Sequence, residues 1–183
     1  MAAVLVPLVE GFEEIEAVSI VDVLRRGGVE VVTAATGDGL EVTGAHGMAM
    51  KAEVSIAAVA DGDFDAIVLP GGPGTRGLLA SAALVGLLRR QAADGKLIGA
   101  ICAAPTVLTG LQLVSPEVRL TCYPSCVAEL GRDSAGVPCA EDGVFITGQA
   151  PGSAMLFALV ILKRLAGEAV AREVARGMVT DLP

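Results

Sequence analysis

The sequence predicts a layered α/β fold with a largely parallel sheet. Short, β-rich apolar runs alternate along the chain with longer segments of helical periodicity, and the runs at residues 3–9, 66–69 and 97–101 are almost continuously apolar. Strands covered by helices on both faces read this way, whereas strands with one wetted face alternate. The chain of 183 residues is 53% hydrophobic and 19% charged, enough apolar material for a well-filled core and too much for disorder. At this length one domain over residues 1–183 is expected.

The elements follow in order. After the strand at residues 3–9, a helix is expected over 13–26, with Ile15, Val18, Ile20, Val21, Val23 and Leu24 on its apolar positions and Gly27-Gly28 as its stop. A second strand spans 30–35, and residues 40–55 read as an antiparallel excursion turning at 44–47. The strand at 66–69 is followed by a helix over 81–94, carrying Leu84, Leu87 and Leu88 and ending at Gly95, and then by the strand at 97–101. A further helix is expected from about Ala103, strands at 118–121 and 144–147, an apolar helix over 153–165 stopped by Gly167, and a short last helix to about Arg176.

Charge and composition exclude several functions. Thirteen Lys and Arg against 21 Asp and Glu give a net charge of −8, so there is no basic field for a phosphate backbone or an anionic membrane. Aromatic residues make up 3% of the chain, with no Trp and one Tyr, too few for a base-stacking platform. Nucleic acid is therefore not expected as a partner. The uncharged stretch 97–116 is broken by Gly99, Pro105, Gly110 and Gln112, and reads as strand, elbow and buried helix rather than a membrane span. Residues 1–9 carry no positively charged side chain, unlike a secretory leader. Cys102, Cys122, Cys126 and Cys139 form neither a disulfide framework nor a zinc quartet, which points to a reducing, cytoplasmic setting. If a helix starts near Pro124, Cys122 and Cys126 share one of its faces, a poor disulfide geometry.

Three unusual segments stand just past buried strands: Glu10-Gly11-Phe12-Glu13-Glu14-Ile15-Glu16, Pro70-Gly71-Gly72-Pro73-Gly74 and Cys102-Ala103-Ala104-Pro105. Open α/β sheets bind ligands outside the carboxyl ends of their strands, so the three can converge on one pocket. Cys102 sits between a strand and a helix among small neighbours, the mechanics of a nucleophile elbow. A helix N-terminus there favours the thiolate. Glu16, early in the first helix, can reach the same crevice beside Glu13 or Glu14. Next to a thiolate its carboxyl is expected to hold its proton and to act as acid and base. Gly71 and Gly72 allow close backbone approach, and their N–H groups with that of Ala103 are candidate oxyanion donors. Residues 70–77 lack the Gly-Lys-Ser/Thr of a phosphate loop, and no G-x-G-x-x-G follows the first strand, so no nucleotide cofactor is expected. His46, the only histidine, reads as a solvated turn residue.

Taken together, GFEEIE, VDVLRRGG, DAIVLPGGPG, GAICAAP and TGQAPGSA resemble the ThiJ/PfpI superfamily, in the branch of the Parkinsonism-associated deglycases, from about Val4 to Val179. The resemblance implies a flavodoxin-like sandwich, a homodimer with each site near the subunit interface, Cys102 as nucleophile, Glu16 as its carboxyl partner, and Gly71, Gly72 and Ala103 as backbone donors. It also places His46 where relatives often carry an Arg that approaches the partner's site. Two departures stand out. Ala103 follows Cys102 where the protease-like branch has His, and Thr121-Cys122-Tyr123-Pro124 puts the Tyr123 phenol where many relatives have His.

The leading expectation is cofactor-free and metal-free cysteine chemistry on small α-oxoaldehydes such as methylglyoxal and glyoxal, or on their early glycation adducts. In that chemistry Cys102 adds to the aldehyde carbon and Glu16 moves the proton. The alternatives are an oxidative-stress sensor or redox-regulated chaperone working through Cys102 oxidation, and, disfavoured by Ala103, a cysteine amidase or peptidase.

Overall fold

The computed structural model describes residues 1–182. A sheet of seven strands runs through its middle. In chain order the strands of the fold are β1 (Ala3–Leu8), β2 (Glu30–Ala35), β3 (Glu41–Thr43), β4 (Ala49–Lys51), β5 (Val54–Ser55), β6 (Ala66–Leu69), β7 (Leu97–Ile101), β8 (Cys139–Asp142) and β9 (Phe145–Gly148). The large sheet has the order β5-β2-β1-β6-β7-β9-β8, and β3 pairs with β4 as a separate antiparallel hairpin. Every pairing in the large sheet is parallel except β8 with β9. The chain leaves β1 toward β2 and β5, then crosses back to β6 on the other side. The crevice at the carboxyl ends of β1 and β6 is thus a topological switch point.

Helices cover both faces. They are α1 (Glu14–Arg26), α2 (Ala82–Ala93), α3 (Pro105–Gly110), α4 (Val127–Leu130), α5 (Ala154–Ala166) and α6 (Glu168–Gly177). Side chains alternate along the strands. Val4, Val6 and Leu8 of β1 join Ala66 and Val68 of β6 in a core with α1, α5 and α6, while Leu5, Ile67 and Leu69 face the opposite core with α2 and α3. This period of two, with both faces apolar, is what the continuous runs encode. Helix α1 begins where the Glu13 carboxylate accepts the Glu16 N–H at 2.8 Å, and it ends at Gly27 with Arg25 and Arg26 facing the negative end of its dipole.

Four details depart from the sequence expectation. Residues 118–121 form no strand: β8 occupies the edge of β9 instead, and Leu120 packs into the core from an irregular segment held by the Thr121 N–H to Thr147 Oγ1 bond of 2.9 Å. Strand β8 itself is four residues, two of them acidic, and carries no strand pattern, but Asp142-Gly143 before β9 is a hairpin signal, with Gly143 at φ 59°. The excursion at 40–55 is antiparallel only through β4, since β5 joins the large sheet parallel to β2. The helix after Cys102 starts at Pro105, not Ala103, because a tight turn intervenes. No helix among the described residues is long and apolar enough to cross a membrane.

Phe157 of α5 is fully buried with its ring against Gly99 of β7 and Gly148 of β9. Phe157→Ala leaves a cavity between helix and sheet, and the expected loss is about 3–5 kcal/mol, read as a lower urea midpoint at unchanged m-value.

Candidate functional site

The three segments singled out in the sequence converge at the carboxyl ends of the neighbouring strands β1, β6 and β7. Cys102 follows β7 directly. Its φ of 63° is left-handed, which among the described residues it shares, outside glycine, with Gln112 and Val179. Such a backbone costs about 1–2 kcal/mol for an L-residue, and surrounding bonds hold it. Cys102 N–H donates to Gly148 O at 3.0 Å, Cys102 O accepts from Tyr123 N–H at 2.8 Å, and Ala104 N–H donates to Ile101 O at 2.9 Å. The result is an elbow that turns the side chain out of the sheet.

Glu16 lies behind the thiol and is fully buried. Its Oε2 accepts the Gly71 N–H at 2.8 Å, while Oε1 has no hydrogen-bond partner among the described residues. This departs from one expectation: the Gly71 N–H, a candidate oxyanion donor, is engaged by Glu16. The Gly72 and Ala103 N–H groups remain, and both favour the Cys102 thiolate. Gly71 has no room for a side chain, since a Cβ there would stand 2.6 Å from Cys102 Cβ and 2.9 Å from Glu16 Oε2.

Burial pushes the Glu16 carboxyl up to about 7, helped by the charge of Glu13 and opposed by hydrogen bonds from Gly71 and Cys102. Burial, then the charge and hydrogen bond of Glu16, push the Cys102 thiol up to about 12, against the pull of the Gly72 and Ala103 N–H groups. The helix-terminus argument for a lowered thiol is therefore outweighed. Helix α3 is six residues long and starts three positions beyond the sulfur, too short and too far for its dipole to dominate. The two groups titrate as a pair. The first proton leaves near 7, from Glu16, and the second stays on sulfur; Oε1, which has no other partner among the described residues, is free to receive that proton and, once protonated, to donate to a thiolate.

In front of Cys102 opens a cavity of about 430 Å3, lined among others by Glu13, His46, Gly72, Ala103, Tyr123 and Cys126. Tyr123 stands on this wall, about 40% exposed and anchored through its N–H to Cys102 O. His46 is a turn residue as expected, but not an isolated one: its Nδ1 lies 2.8 Å from Glu14 Oε2, and its N–H donates to Glu14 Oε1 at 2.6 Å. No feature of the sequence placed it beside Cys102, because the β3–β4 turn is more than fifty residues away along the chain. Cys122 precedes the short turn Pro124–Cys126 and is buried, so it shares no helix face with Cys126. Glu13, Glu14 and His46 have ligand atoms within 4.8 Å of one another, the one grouping among the described residues with metal-like spacing. Glu13 Oε2 is engaged by the Glu16 N–H, and both Glu14 oxygens by His46, so a metal would have to displace bonds that hold α1 and the hairpin.

A doubly wound sheet with a strained cysteine elbow beside its switch point, backed by a buried carboxyl, defines a class of cysteine-centred α/β proteins. The chain belongs to the DJ-1/PfpI family, whose family model matches residues 2–164. It is 42% identical over 178 residues to the Drosophila melanogaster protein dj-1beta, covering 95% of each. It is 38% identical over 164 residues to the Caenorhabditis elegans glutathione-independent glyoxalase DJR-1.2, covering 86% of this chain and 85% of that one. The structure of oxidized DJ-1 from Toxoplasma gondii superposes with a TM-score of 0.94 at 36% identity, over 98% of this chain and 99% of that one.

Glu16 has its carboxyl raised to about 7 from an ordinary 4.5. The sign follows from linkage: the unfolded chain gives up this proton first, so stability is full below about 4.5 and falls as pH rises toward about 7. Glu16→Gln keeps an oxygen for the Gly71 N–H and removes the charge. It is expected to be more stable than the parent by about 1–3 kcal/mol at pH 8 and nearly equal at pH 5, measured by urea denaturation at both.

Proposed function

We propose that the protein is a cofactor-independent, cysteine-dependent glyoxalase or deglycase acting on small α-oxoaldehydes or their early glycation adducts. The observation that carries this reading is the coupling of Cys102 to a buried Glu16 at an elbow that leaves the Gly72 and Ala103 N–H groups around the sulfur. A relative named as a glutathione-independent glyoxalase supports it.

The chemistry follows from the shared proton. As the thiol proton passes to the Glu16 carboxylate, the Cys102 sulfur adds to the aldehyde carbon of methylglyoxal, and the new alkoxide takes that proton from Glu16 to give a hemithioacetal. Glu16, now a carboxylate, removes the hydrogen from that carbon, and the enediol is reprotonated on the neighbouring carbon. A thioester of lactate results. Water cleaves it, lactate leaves and the thiol returns. Gly72 and Ala103 N–H groups stabilise the oxyanions at the addition and hydrolysis steps. Tyr123 has no proton role in this scheme and shapes the wall. A peptidase would need a base within reach of Cys102 other than Glu16, and Ala103 offers none.

A second reading rests on the same unpartnered Glu16 Oε1. Two equivalents of a hydroperoxide take a thiolate to a sulfinate, and a protonated Glu16 together with the Gly72 and Ala103 N–H groups gives its oxygens donors. The protein would then report oxidative stress. Four free cysteines fit a reducing, cytoplasmic compartment. An exposed apolar face formed by Ile15 and Val18 of α1 with Met48 beside the hairpin fits a homodimer contact.

Lactate formation from methylglyoxal without glutathione or metal tests the leading reading. Cys102→Ser is expected to abolish it, and Glu16→Gln to lower kcat about 10²–10⁴-fold while the fold is retained. Lactate formation that survives Cys102→Ser would rule the reading out. For the dimer, Val18→Lys is expected to convert a dimeric sedimentation profile to a monomeric one.

A further inference from the structure

The proposed chemistry leaves one polar wall of the Cys102 cavity unused. That wall is His46, whose imidazole is 68% exposed while its partner carboxylate, Glu14, is 3% exposed. A buried carboxylate persists only where donors surround it. Glu14 accepts the His46 N–H at 2.6 Å, the Met48 N–H at 3.4 Å and the His46 ring at 2.8 Å, so that Glu14 locks both the turn and the orientation of the imidazole. Burial pushes the Glu14 carboxyl up, but these bonds outweigh it and hold the group down at about 2. An ionised carboxylate only accepts, which puts the hydrogen on Nδ1 and leaves Nε2 as the ring nitrogen free for the cavity.

The titratable groups around His46 come from several elements. Glu14 and Glu13, at the start of α1, act on its charge, and Cys102 at the end of β7, Tyr123 and Cys126 line the same cavity. Among the described residues no Lys or Arg lines this cavity, so a protonated His46 is its one cationic side chain. An α-oxoaldehyde bound through its first carbon to Cys102 carries a second oxygen on the adjacent carbon. That oxygen gains negative charge when Glu16 withdraws the proton, and a cationic donor placed there stabilises the enediol.

We infer that Glu14 and His46 form a carboxylate–imidazole pair serving the Cys102 cavity, with His46 Nε2–H as the donor to the second oxygen of the dicarbonyl and Glu14 as its positioning residue. This rests on the dicarbonyl reading above. Hydrogen bonding to Glu14 and its charge raise the His46 pKa above the ordinary 6.5. The donor is therefore present at lower pH and is lost as pH rises through that raised value, taking activity with it.

Because His46 is the only histidine, its titration is read without ambiguity by NMR. The test compares that titration, kcat/KM for methylglyoxal against pH, and the ratio of Cys102 alkylation by iodoacetate to that by iodoacetamide, a ratio from which the thiolate fraction cancels. In the parent, the alkaline limb of kcat/KM and the fall in the alkylation ratio are expected to coincide with the His46 titration. His46→Gln, at an exposed turn, is expected to lower kcat/KM about tenfold or more, remove that limb, and hold the alkylation ratio at its low, high-pH value. Glu14→Gln should shift titration and limb together to lower pH. An alkylation ratio that is flat with pH and unchanged in His46→Gln overturns the pair's role in the cavity. So does a limb that stays in place while the His46 titration moves. If the parent makes no lactate yet its alkylation ratio still follows His46, the dicarbonyl reading fails while the oxygen-binding pair stands.

Discussion

The hydrogen bond from Gly71 N–H to Glu16 Oε2 ties the first turn of α1 to the loop after β6, and much of the candidate site depends on it. It sets a carboxyl fully out of solvent immediately behind the sulfur of a third segment. Three chain ends thereby become one chemical unit. The cost falls on sequence: no side chain larger than hydrogen fits at Gly71, and the left-handed Gly72 at φ 104° would drive a Cβ to 2.5 Å from Gly11 O. The double glycine is therefore read from geometry on two counts, one steric and one conformational.

Strain and burial work together at Cys102. The left-handed backbone persists because Gly148, Tyr123 and Ile101 each hold one side of the elbow. Those bonds come from β9, from the loop after α3 and from β7, so the elbow is fixed by elements far apart in sequence. The same burial that makes the site rigid sets its electrostatics. Two acidic groups in one dry pocket tolerate a single negative charge, and the proton they share is the means by which either can act. This coupling is legible in the sequence for Glu16, but its effect on the thiol is not, because a helix-terminus argument alone would lower the thiol pKa.

The sheet was legible in the sequence because strands buried on both faces must be apolar throughout; β2, β6 and β7 match their expected limits. The irregular segment at 118–121 was not, since the edge it would have paired with is taken by a strand whose sequence is polar. In the site, Cys102, Glu16 and the two glycines stood out because each follows a buried strand, and the topology of such sheets brings those ends together. The commitment of the Gly71 N–H to Glu16 was not legible, since which amide a carboxylate takes is settled at the scale of one bond length. Nor was the Glu14–His46 contact, which depends on how a hairpin outside the large sheet folds over the start of α1.

The single-charge constraint bears also on turnover. The proposed substrate is neutral and its product is a carboxylic acid. On hydrolysis a second negative charge is created beside Glu13 and the Glu16–Cys102 pair, in a cavity whose lining holds no Lys or Arg among the described residues. Where His46 is neutral, charge repulsion in a low dielectric works against retention of the product and not against binding of the substrate, and a protonated His46 opposes that effect. The net charge of −8 on the chain acts in the same direction at longer range, more weakly because salt screens it. On the proposed reading, a pocket of this kind favours a neutral carbonyl substrate over its acid product once His46 has lost its charge.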